Sequence, residues 1–338
     1  MAGPVPASWE VDPGRTRAFA LRDGVWQLRM PLPWHDVDHV NAYVLEREDG
    51  IVLVDCGSAG HETLREALVR GLEATGHRVE EVRVLACTHA HSDHVGQAQW
   101  VVAASGCELV LHRAHAHLYD AIHDPRGIAA SRLRGARREG VPAERLADFA
   151  DVAEEIEGVL GAPPPAATLD PGDRLLAADA AWEVIETPGH TPSDVSLLAP
   201  DLRLAIVGDL VAPAFAPWFE YGYSHDPVGD YLASLAALEA AGEFDLYLPG
   251  HGRPIEDLPP VLAAHREGVE AGLRRTVEAL EAGPASGYEV AARTFGPFED
   301  ATDFRFVDQS VAYLRHLWLE GRVAREDDGH GTRIHRLS

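Results

Sequence analysis

Four side chains that commonly bind metal ions fall within six consecutive positions: His89, His91, Asp93 and His94. They follow an apolar run at residues 82–87 that is typical of a buried strand. In an extended turn His89 and His91 point to the same side, whereas the adjacent Asp93 and His94 must diverge or serve two centres. Neutral imidazole and carboxylate suit Zn(II), with Fe(II) and Mn(II) as alternatives because affinity alone does not select the metal. A histidine-rich surface turn is the competing explanation, but the pattern predicts two neighbouring metal ions.

Three further potential ligands end strand-like runs elsewhere in the chain: His190, Asp209 and His251. Each stands in a glycine-containing turn, and taken alone each is explained as well by capping that turn. Sheet proteins place their sites at strand ends, so together with the first four residues these three predict one shared centre. Asp55 also ends a strand-like run, ahead of a glycine turn. We expect it either to accept a hydrogen bond from a metal-bound histidine or to stabilise its own turn.

The elements that must position these residues are predicted by apolar runs separated by glycine- and proline-containing turns. Strand-like runs lie at residues 25–30, 41–46, 51–55, 82–87, 108–111, 182–186, 195–199, 202–207 and 245–248. Between two of them, residues 61–75 show apolar side chains at helical spacing. The alternation of strand and helix predicts an α/β protein with its candidate ligands at strand ends.

About seventy residues in the middle of the chain have a different character. Helical patterns occur there at residues 114–122, 129–139 and 142–159. They predict a helical insertion at about 112–168, and such insertions often act as lids or pocket walls. His112, His115 and His117 begin this segment, but no carboxylate follows at the spacing of the first cluster, and residues two apart on a helix do not share a face. We expect them to be surface histidines.

The last eighty residues form a second compositional unit. Helical patterns at residues 261–280, 288–294 and 306–320 precede strand-like runs at 322–325 and 332–337. Helices followed by a hairpin predict a small winged-helix-like domain at 259–338, which leaves 1–258 as the larger domain. Such units often bind DNA, but residues 284–338 contain seven Arg against nine Asp plus Glu. Packing or homodimerisation is therefore the predicted role.

Charge and composition restrict the classes of partner. The 338 residues include 29 basic and 54 acidic side chains, a net charge of -25, and no lysine. Phosphate contacts dominate nucleic-acid affinity, so DNA and RNA are disfavoured as main substrates.

No apolar stretch approaches the roughly 18 residues of a membrane helix, and residues 1–15 show no export signal, so we expect a soluble, cytoplasmic protein. The cysteines Cys56, Cys87 and Cys107 are odd in number, and a disulfide framework is not expected.

The ligand pattern resembles that of the metallo-β-lactamase-fold hydrolases. The resemblance rests on His89-Ala90-His91-Ser92-Asp93-His94, on His190 in Pro-Gly-His, on Asp209 in Gly-Asp, on His251 in Pro-Gly-His-Gly, and on Asp55. It spans residues of about 25–255 in the family's order and implies a four-layer αββα sandwich with metals at one edge of the two sheets. The C-terminal residues resemble the small domain of the branch that includes the β-lactamase-like protein 2 and glyoxalase II-like groups.

The resemblance also implies a role for each ligand. His89, His91 and His190 would hold the first metal, Asp93, His94 and His251 the second, and Asp209 would bridge two Zn(II) ions. True β-lactamases of this fold lack the bridging carboxylate, and diiron redox members carry Glu where this chain has His91. The broader hydrolase branch is therefore implied.

Such a centre predicts hydrolysis by a metal-bridging hydroxide, because binding to zinc lowers the pKa of water from about 16 to about 7. Asp93 is predicted to orient the hydroxide and accept its proton. The expected substrates are esters, thioesters or lactones. A phosphodiesterase or ribonuclease, or a weak β-lactamase activity, is the alternative within enzymes. A metal-free scaffold or DNA-binding regulator would have no reason to keep seven ligands in register.

Aromatic residues near the ligands predict the substrate pocket. Trp34 lies with His35 and His39 in the loop at residues 31–39, and four more follow Asp209: Trp218, Phe219, Tyr221 and Tyr223. They predict a small-molecule substrate with an apolar portion, with core packing or a hairpin tip as the alternatives. Ala212 stands where many lactonases of this fold carry Tyr, and the basic glutathione-binding positions of glyoxalase II have no evident counterpart. Both specific assignments are weakened accordingly.

Overall fold

Two β-sheets organise the protein. The computed structural model describes residues 10–34, 37–146, 158–159, 161, 163–214, 218–219, 222–298 and 304–338. The first sheet has the strand order β1 (Arg17–Arg22), β2 (Val25–Pro31), β3 (His39–Arg47), β4 (Gly50–Val54), β5 (Val82–Ala86), β6 (Glu108–Leu111) and β7 (Ala167–Thr168). Pairing is antiparallel from β1 to β4 and parallel from β4 to β7. The parallel strands therefore deliver their carboxyl ends to one edge of the sheet.

The second sheet has five strands, β8 (Arg174–Ala177), β9 (Ala180–Glu186), β10 (Val195–Ala199), β11 (Leu204–Gly208) and β12 (Leu246–Pro249). Its order is β12-β11-β10-β9-β8, with β11 and β12 parallel and the other neighbours antiparallel. The inner faces of the two sheets bury a shared core that includes Tyr43, Val52, Trp182 and Ile206, all fully buried. Each such side chain contributes about 1.5–3 kcal/mol to folding.

Helices cover the outer face of each sheet. On the first sheet these are α1 (Glu62–Ala74), α2 (Ser92–Val95), α3 (Ala98–Ser105) and, from the insertion, α4 (Ala116–His123). The second helix of the insertion, α5 (Pro125–Arg138), packs against α4. On the second sheet lie α6 (Pro227–Ala240) and α7 (Leu258–Glu281). In α1 the buried Leu64, Ala67, Leu68 and Leu72 recur at helical spacing, so one face of the helix is apolar. The predicted αββα arrangement is confirmed.

The C-terminal residues form α8 (Gly287–Phe295) and α9 (Phe304–Leu319) and a sheet of β13 (Ala285–Ser286), β15 (Arg333–Leu337) and β14 (Val323–Asp327) in that order. Their core is continuous with that of the second sheet, because Tyr313 and Leu317 of α9 belong to the same buried cluster as Val228 and Leu235 of α6. Helices followed by a strand pair match the sequence pattern. The winged-helix-like character and the domain boundary at 258/259 stay predictions.

The structure also corrects several expectations. β1, β7 and β8 were not predicted as strands, and β7 joins the end of the insertion to the first sheet. Of the helix predicted at 142–159, the described part contains only the 3-10 turn Ala143–Arg145, and residues 147–157 lie outside the described residues. No helix in the described part of the chain is both long and apolar enough to cross a bilayer.

Candidate metal centre

The seven predicted ligands come together where strand ends of both sheets meet. His89, His91, Asp93 and His94 follow β5, His190 follows β9, Asp209 follows β11 and His251 follows β12. Hydrogen bonds join the sheets at this edge. The Val195 N–H donates to the Thr88 carbonyl over 2.9 Å, and the Tyr43 hydroxyl donates to the Pro249 carbonyl over 2.6 Å. These contacts fix the ligand turns relative to one another.

Three imidazoles converge on one point of the cluster. The Nδ1 atom of His91 lies 3.1 Å from Nε2 of His89 and 2.9 Å from Nε2 of His190. Burial, reinforced by neighbouring imidazoles, holds the pKa of His89 and His91 well below the ordinary value. Both rings are therefore neutral at neutral pH, which is the form that binds metal.

A second group contains Asp93, His94 and His251. The Asp93 Oδ2 atom lies 3.1 Å from Nε2 of His251 and 3.5 Å from Nε2 of His94. Burial opposes ionisation of Asp93, but the positive charge of His94 and the hydrogen bond from His251 hold its pKa well below the ordinary value. Asp93 is therefore an ionised carboxylate.

Asp209 lies between the two groups. In the second group, its Oδ1 atom is 3.6 Å from Nε2 of His94 and its Oδ2 atom is 3.3 Å from Nε2 of His251. The same Oδ2 atom is 3.6 Å from Nε2 of His190 in the first group. Burial would raise its pKa, but the charges of His251 and His94 hold it well below the ordinary value. One ionised carboxylate is thus shared by both groups of ligands.

Groups outside the cluster orient four of the five imidazoles through their second ring nitrogen. Nδ1 of His94 donates to Asp55 Oδ2 over 2.8 Å, and Nδ1 of His190 and of His251 donate over 2.8 Å to the carbonyls of Trp218 and His39. Nδ1 of His89 lies 3.1 Å from the Thr88 hydroxyl. Such contacts fix the tautomer and ring orientation of metal-binding histidines.

The cluster fits a pair of metal ions by its unpaired atoms and by its shape. Nε2 of His94 and Oδ1 of Asp209 are buried and, among the described residues, have no hydrogen-bond partner. Buried polar groups are normally paired, so these atoms need a ligand. A Cβ atom at Gly250 would come within 2.1 Å of Asp209 Oδ1, so only glycine leaves the carboxylate in place. Five imidazoles and two carboxylates suit zinc, iron or manganese.

Comparison with known families decides the assignment. The family model of the metallo-beta-lactamase superfamily matches residues 35–251, more than half of the 338 residues and the segment that contains all seven clustered side chains. The chain belongs to the metallo-beta-lactamase superfamily. The predicted fold and the predicted class, a metal-dependent hydrolase, are confirmed at this level.

Superfamily relatives extend the likeness over most of the chain. It is 27% identical over 219 residues to the probable metallo-hydrolase YqgX of Bacillus subtilis (strain 168), covering 63% of this chain and 84% of that protein. It is 22% identical over 329 residues to the probable metallo-hydrolase YqjP of the same organism, covering 91% and 96%. The metallo-beta-lactamase domain-containing protein 1 of Xenopus laevis is 30% identical over 193 residues, 56% of this chain and only 62% of that relative's length.

Solved structures share the fold over the C-terminal residues as well. A metallo-beta-lactamase family protein from Thermus thermophilus superimposes with a TM-score of 0.81 and 24% identity, covering 94% of this chain and 100% of that one. A beta-lactamase domain protein from Burkholderia ambifaria gives 0.79 and 24%, covering 95% and 93%. These coverages extend the shared fold into the C-terminal residues of the chain.

The predicted pocket residues separate into different environments. Trp218 lies beside the clustered histidines, with its ring centroid 5.5 Å from that of His91. Phe219 is fully buried against Tyr231 and Tyr313, which corresponds to core packing. The ring centroid of Tyr223 lies 5.5 Å from that of His117. Trp34 packs against the hydrophobic core between the first sheet and the helices that cover it. Tyr221 and His35 lie outside the described residues.

Two of the insertion histidines are not surface residues. His117 is 4% exposed and its ring is 6.4 Å from that of His91, while His112 is 5% exposed and its Nε2 is 2.9 Å from Glu186 Oε1. The surface expectation is wrong for both, because His117 lies on the side of α4 that faces His91, whereas His112 directly follows β6 and contacts Glu186 at the end of β9. Only His115, on the same segment, is partly exposed.

A buried polar cluster behind His89 was not predicted from the sequence. Asp194 Oδ1 lies 3.8 Å from Nδ1 of His89, and Asp194 accepts hydrogen bonds from the Thr191 N–H and hydroxyl over 2.6 and 3.0 Å. Ser193 Oγ accepts the Ala90 N–H over 3.0 Å. The residues follow His190 in Thr-Pro-Ser-Asp, a turn-forming sequence, which was the available signal.

Proposed function

We propose that this protein is a dinuclear zinc hydrolase of esters, thioesters or lactones. The observation that supports it best is the position of Asp209, whose carboxylate lies within 3.6 Å of imidazoles from both groups of ligands. Shared carboxylates of this kind hold two metal ions at the short separation used in two-metal hydrolysis. The metal identity and the bond cleaved belong to the proposal.

The proposed mechanism divides the work among residues of this chain. When bound, the metal ions supply Lewis acidity and lower the pKa of a water to about 7. His89, His91 and His190 would hold the first metal ion, Asp93, His94 and His251 would hold the second, and Asp209 would contact both. Asp93 would accept a proton from the attacking water. No serine or cysteine nucleophile is needed, and the three cysteines are free and buried.

The surroundings favour an acyl substrate with an apolar portion. The ring of Trp218 lies 5.5 Å from His91 and 6.0 Å from His190, so a bound acyl group would contact an aromatic surface next to the first metal position. The net charge of -25 disfavours polyanions. A phosphodiesterase or ribonuclease would use the same metal centre and is the first alternative to the proposed acyl hydrolase. A weak β-lactamase activity is the second alternative.

The test combines metal analysis with a substrate panel. Zinc-reconstituted protein is analysed for metal content and assayed against an acyl-thioester, a lactone, a chromogenic cephalosporin and an aryl phosphodiester. We expect two ions per chain and turnover of the thioester or lactone, both lost on chelation and restored by zinc. Turnover of the phosphodiester alone would reverse the ranking, and a metal-free active protein would refute the proposal.

Asp209→Asn tests the shared carboxylate directly. We expect fewer than two zinc ions per chain and at least about a hundredfold loss of kcat/KM, because the metal ions supply several kcal/mol of transition-state stabilisation. Asp245→Asn is the matched control, since Asp245 pairs with Arg203 and Arg22 on the surface. Full metal content and activity in Asp209→Asn would exclude the two-metal mechanism.

A further inference from the structure

One face of helix α6 packs against the turn that carries His190. Ser234 of this helix is 3% exposed, and its hydroxyl donates over 2.7 Å to the carbonyl of Pro188, two residues before the ligand. Gly189, which directly precedes His190, has φ 145°, and a Cβ atom there would lie 2.5 Å from Cα of Tyr231 on the helix. The backbone of the turn therefore lies directly against the backbone of α6, and a buried hydroxyl holds it there.

The same helix face contacts the turn that carries Asp209. Tyr231 lies one helical turn before Ser234 and is 1% exposed. Its hydroxyl is 2.9 Å from the carbonyl of Leu210, the residue after Asp209, and 2.5 Å from Nδ1 of His265 on α7. The helix thus reaches one ligand turn after β9 and another after β11, two strands that β10 separates in the second sheet.

The protons of this network show how Tyr231 and His265 hold the second turn. Nε2 of His265 lies 2.9 Å from the carbonyl oxygen of Ala212 and 3.4 Å from its backbone nitrogen. Burial lowers the pKa of His265, so its ring is neutral and carries one proton. With that proton on Nε2, His265 donates to Ala212 and accepts from Tyr231. With it on Nδ1, His265 donates to Tyr231, which then donates to Leu210. In both tautomers the pair binds a backbone carbonyl within three residues of Asp209.

These contacts bear on the separation of His190 from Asp209. Nε2 of His190 is 3.6 Å from Oδ2 of Asp209, and both side chains would contact the first metal ion of the proposed function. Because β10 lies between β9 and β11, strand pairing does not join the two ligand turns directly, and α6 supplies the connection. A displacement of about 1 Å in such a site can lower the rate about a hundredfold.

We propose that Tyr231 is a positioning residue of the metal centre, which together with Ser234 fixes the separation of His190 from Asp209. The two hydroxyls act through the backbone of the ligand turns, and no contact with substrate is required. The inference rests on the metal centre of the proposed function and not on the bond that is cleaved.

Zinc affinity and a cobalt spectrum test this role in Tyr231→Phe. The variant removes the hydroxyl but keeps the ring, which packs on Phe219 with 5.5 Å between centroids. We expect the Kd of at least one zinc ion to rise about 10-fold or more, measured by competition with a chromophoric chelator. The visible absorption of the cobalt-substituted protein should change as well, since it depends on ligand geometry. Tyr247→Phe is the matched control, because Tyr247 is 4% exposed and its hydroxyl donates to Gly242, which belongs to no ligand turn.

Ser234→Ala extends the test to the His190 turn. Its control is Ser105→Ala, since Ser105 likewise donates to a carbonyl over 2.7 Å, that of Val101 within α3. We expect Ser234→Ala to raise the zinc Kd and Ser105→Ala to leave it unchanged. If both hydroxyls fix one separation, the second substitution adds little. The Kd of the double variant Tyr231→Phe/Ser234→Ala should therefore rise by less than the product of the two single effects.

A merely structural role of Tyr231 predicts a different result. The melting temperature of the metal-free protein would then fall in Tyr231→Phe and Tyr247→Phe alike, with zinc Kd and cobalt spectrum unchanged, and this would overturn the inference. Fully multiplicative effects in the double variant would also overturn it, because the two contacts would then act separately. Wild-type protein that binds two zinc ions but hydrolyses no acyl substrate would refute the proposed function alone, since the affinities and spectra still decide the role of Tyr231.

Discussion

Asp55 contacts the metal centre without being one of its ligands. Its backbone adopts φ 62°, an unusual conformation for a residue other than glycine, and its carboxylate is fully buried. It accepts hydrogen bonds from Nδ1 of His94 and from the N–H and hydroxyl of Thr88, all within 2.9 Å. Strained backbone of this kind costs about 1–3 kcal/mol and persists where the surroundings hold it. One carboxylate thus ties the end of β4 to a ligand that follows β5.

Asp55→Ala should weaken zinc binding about 10- to 100-fold, because His94 loses the acceptor that fixes its ring. The buried Thr88 donors would also be left unpaired, at about 1–3 kcal/mol each. Zinc Kd and thermal unfolding with and without metal measure the two effects. Asp179→Asn is the control, since Asp179 shares the left-handed backbone, at φ 54°, but is exposed. Zinc affinity unchanged in Asp55→Ala would show that Asp55 only stabilises its turn.

The ligands were predictable from sequence because residue type and spacing identify them. Their backbone partners were not, since the carbonyls of His39 and Trp218 come from distant segments and every residue has a carbonyl. His117 was misjudged for a related reason. Helical spacing shows which residues share a face, but it does not show which face another element covers.

Gly250 shows how closely the elements must approach at the site. It follows β12, its N–H donates to the Gly208 carbonyl over 2.8 Å, and it accepts the Asn41 N–H over 2.7 Å. Gly250→Ala would place a Cβ 2.1 Å from Asp209 Oδ1 and 2.6 Å from His94 Cε1. We expect a loss of about 1–3 kcal/mol together with reduced metal content, because neither neighbour can move without leaving the centre.

Metal analysis and thermal unfolding check the Gly250→Ala prediction. Gly71→Ala, near the end of α1, is the control, since its Cβ would approach only the side chains of Leu28 at 3.1 Å and Thr16 at 3.5 Å, neither of which belongs to the centre. Two zinc ions per chain in Gly250→Ala would mean that the turn adapts, and the packing argument would then fail.

A buried ion pair joins the insertion to the C-terminal sheet. Glu139, at the end of α5, is 2% exposed, and its Oε1 lies 2.7 Å from Nη1 of Arg333 on β15. Its backbone carbonyl also accepts the Tyr288 N–H over 2.9 Å. The segment that contains His117 is therefore tied to the end of the chain.

Glu139→Ala should destabilise the protein by about 3–5 kcal/mol, because Arg333 would keep a largely buried charge without its partner. The pair Arg138 and Asp327 joins the same two segments but is more than half exposed, so Asp327→Asn should cost at most about 1 kcal/mol. Urea unfolding of both variants measures the difference. Equal losses of unfolding free energy in the two variants would show that burial of the ion pair does not determine its contribution to stability.

The long strands and helices were predicted because their apolar periodicity extends over several turns or pleats. The strands that were missed are short or largely exposed. β7 has two residues, and β1 alternates poorly because it lies at the sheet edge, where few of its side chains are buried. Pairing with a neighbour, which a single sequence does not reveal, makes these residues strands.

At the scale of the whole molecule, one hydrophobic cluster runs from the second sheet through α6 and α7 to α9. The division at residue 258 followed a change in composition, whereas packing depends on which faces meet. The apolar periodicity of the sequence predicted the order of the C-terminal helices and of the final strand pair. Apolar periodicity does not show that Phe219, which was predicted to line the pocket, packs on Tyr313 of the C-terminal unit.

Net charge is the remaining property that belongs to the whole chain. At -25 and without lysine, the protein carries a strong net negative charge, which we expect to slow the approach of anionic substrates. Raising the ionic strength from about 0.01 to 0.15 M shortens the Debye length from about 30 to 8 Å and screens this repulsion. We expect kcat/KM for an anionic acyl-thioester to rise several-fold over this range, while a neutral thioester with the same acyl group changes little. A fall for the anionic substrate would reveal local positive charge at the site entrance and restore the phosphodiesterase alternative.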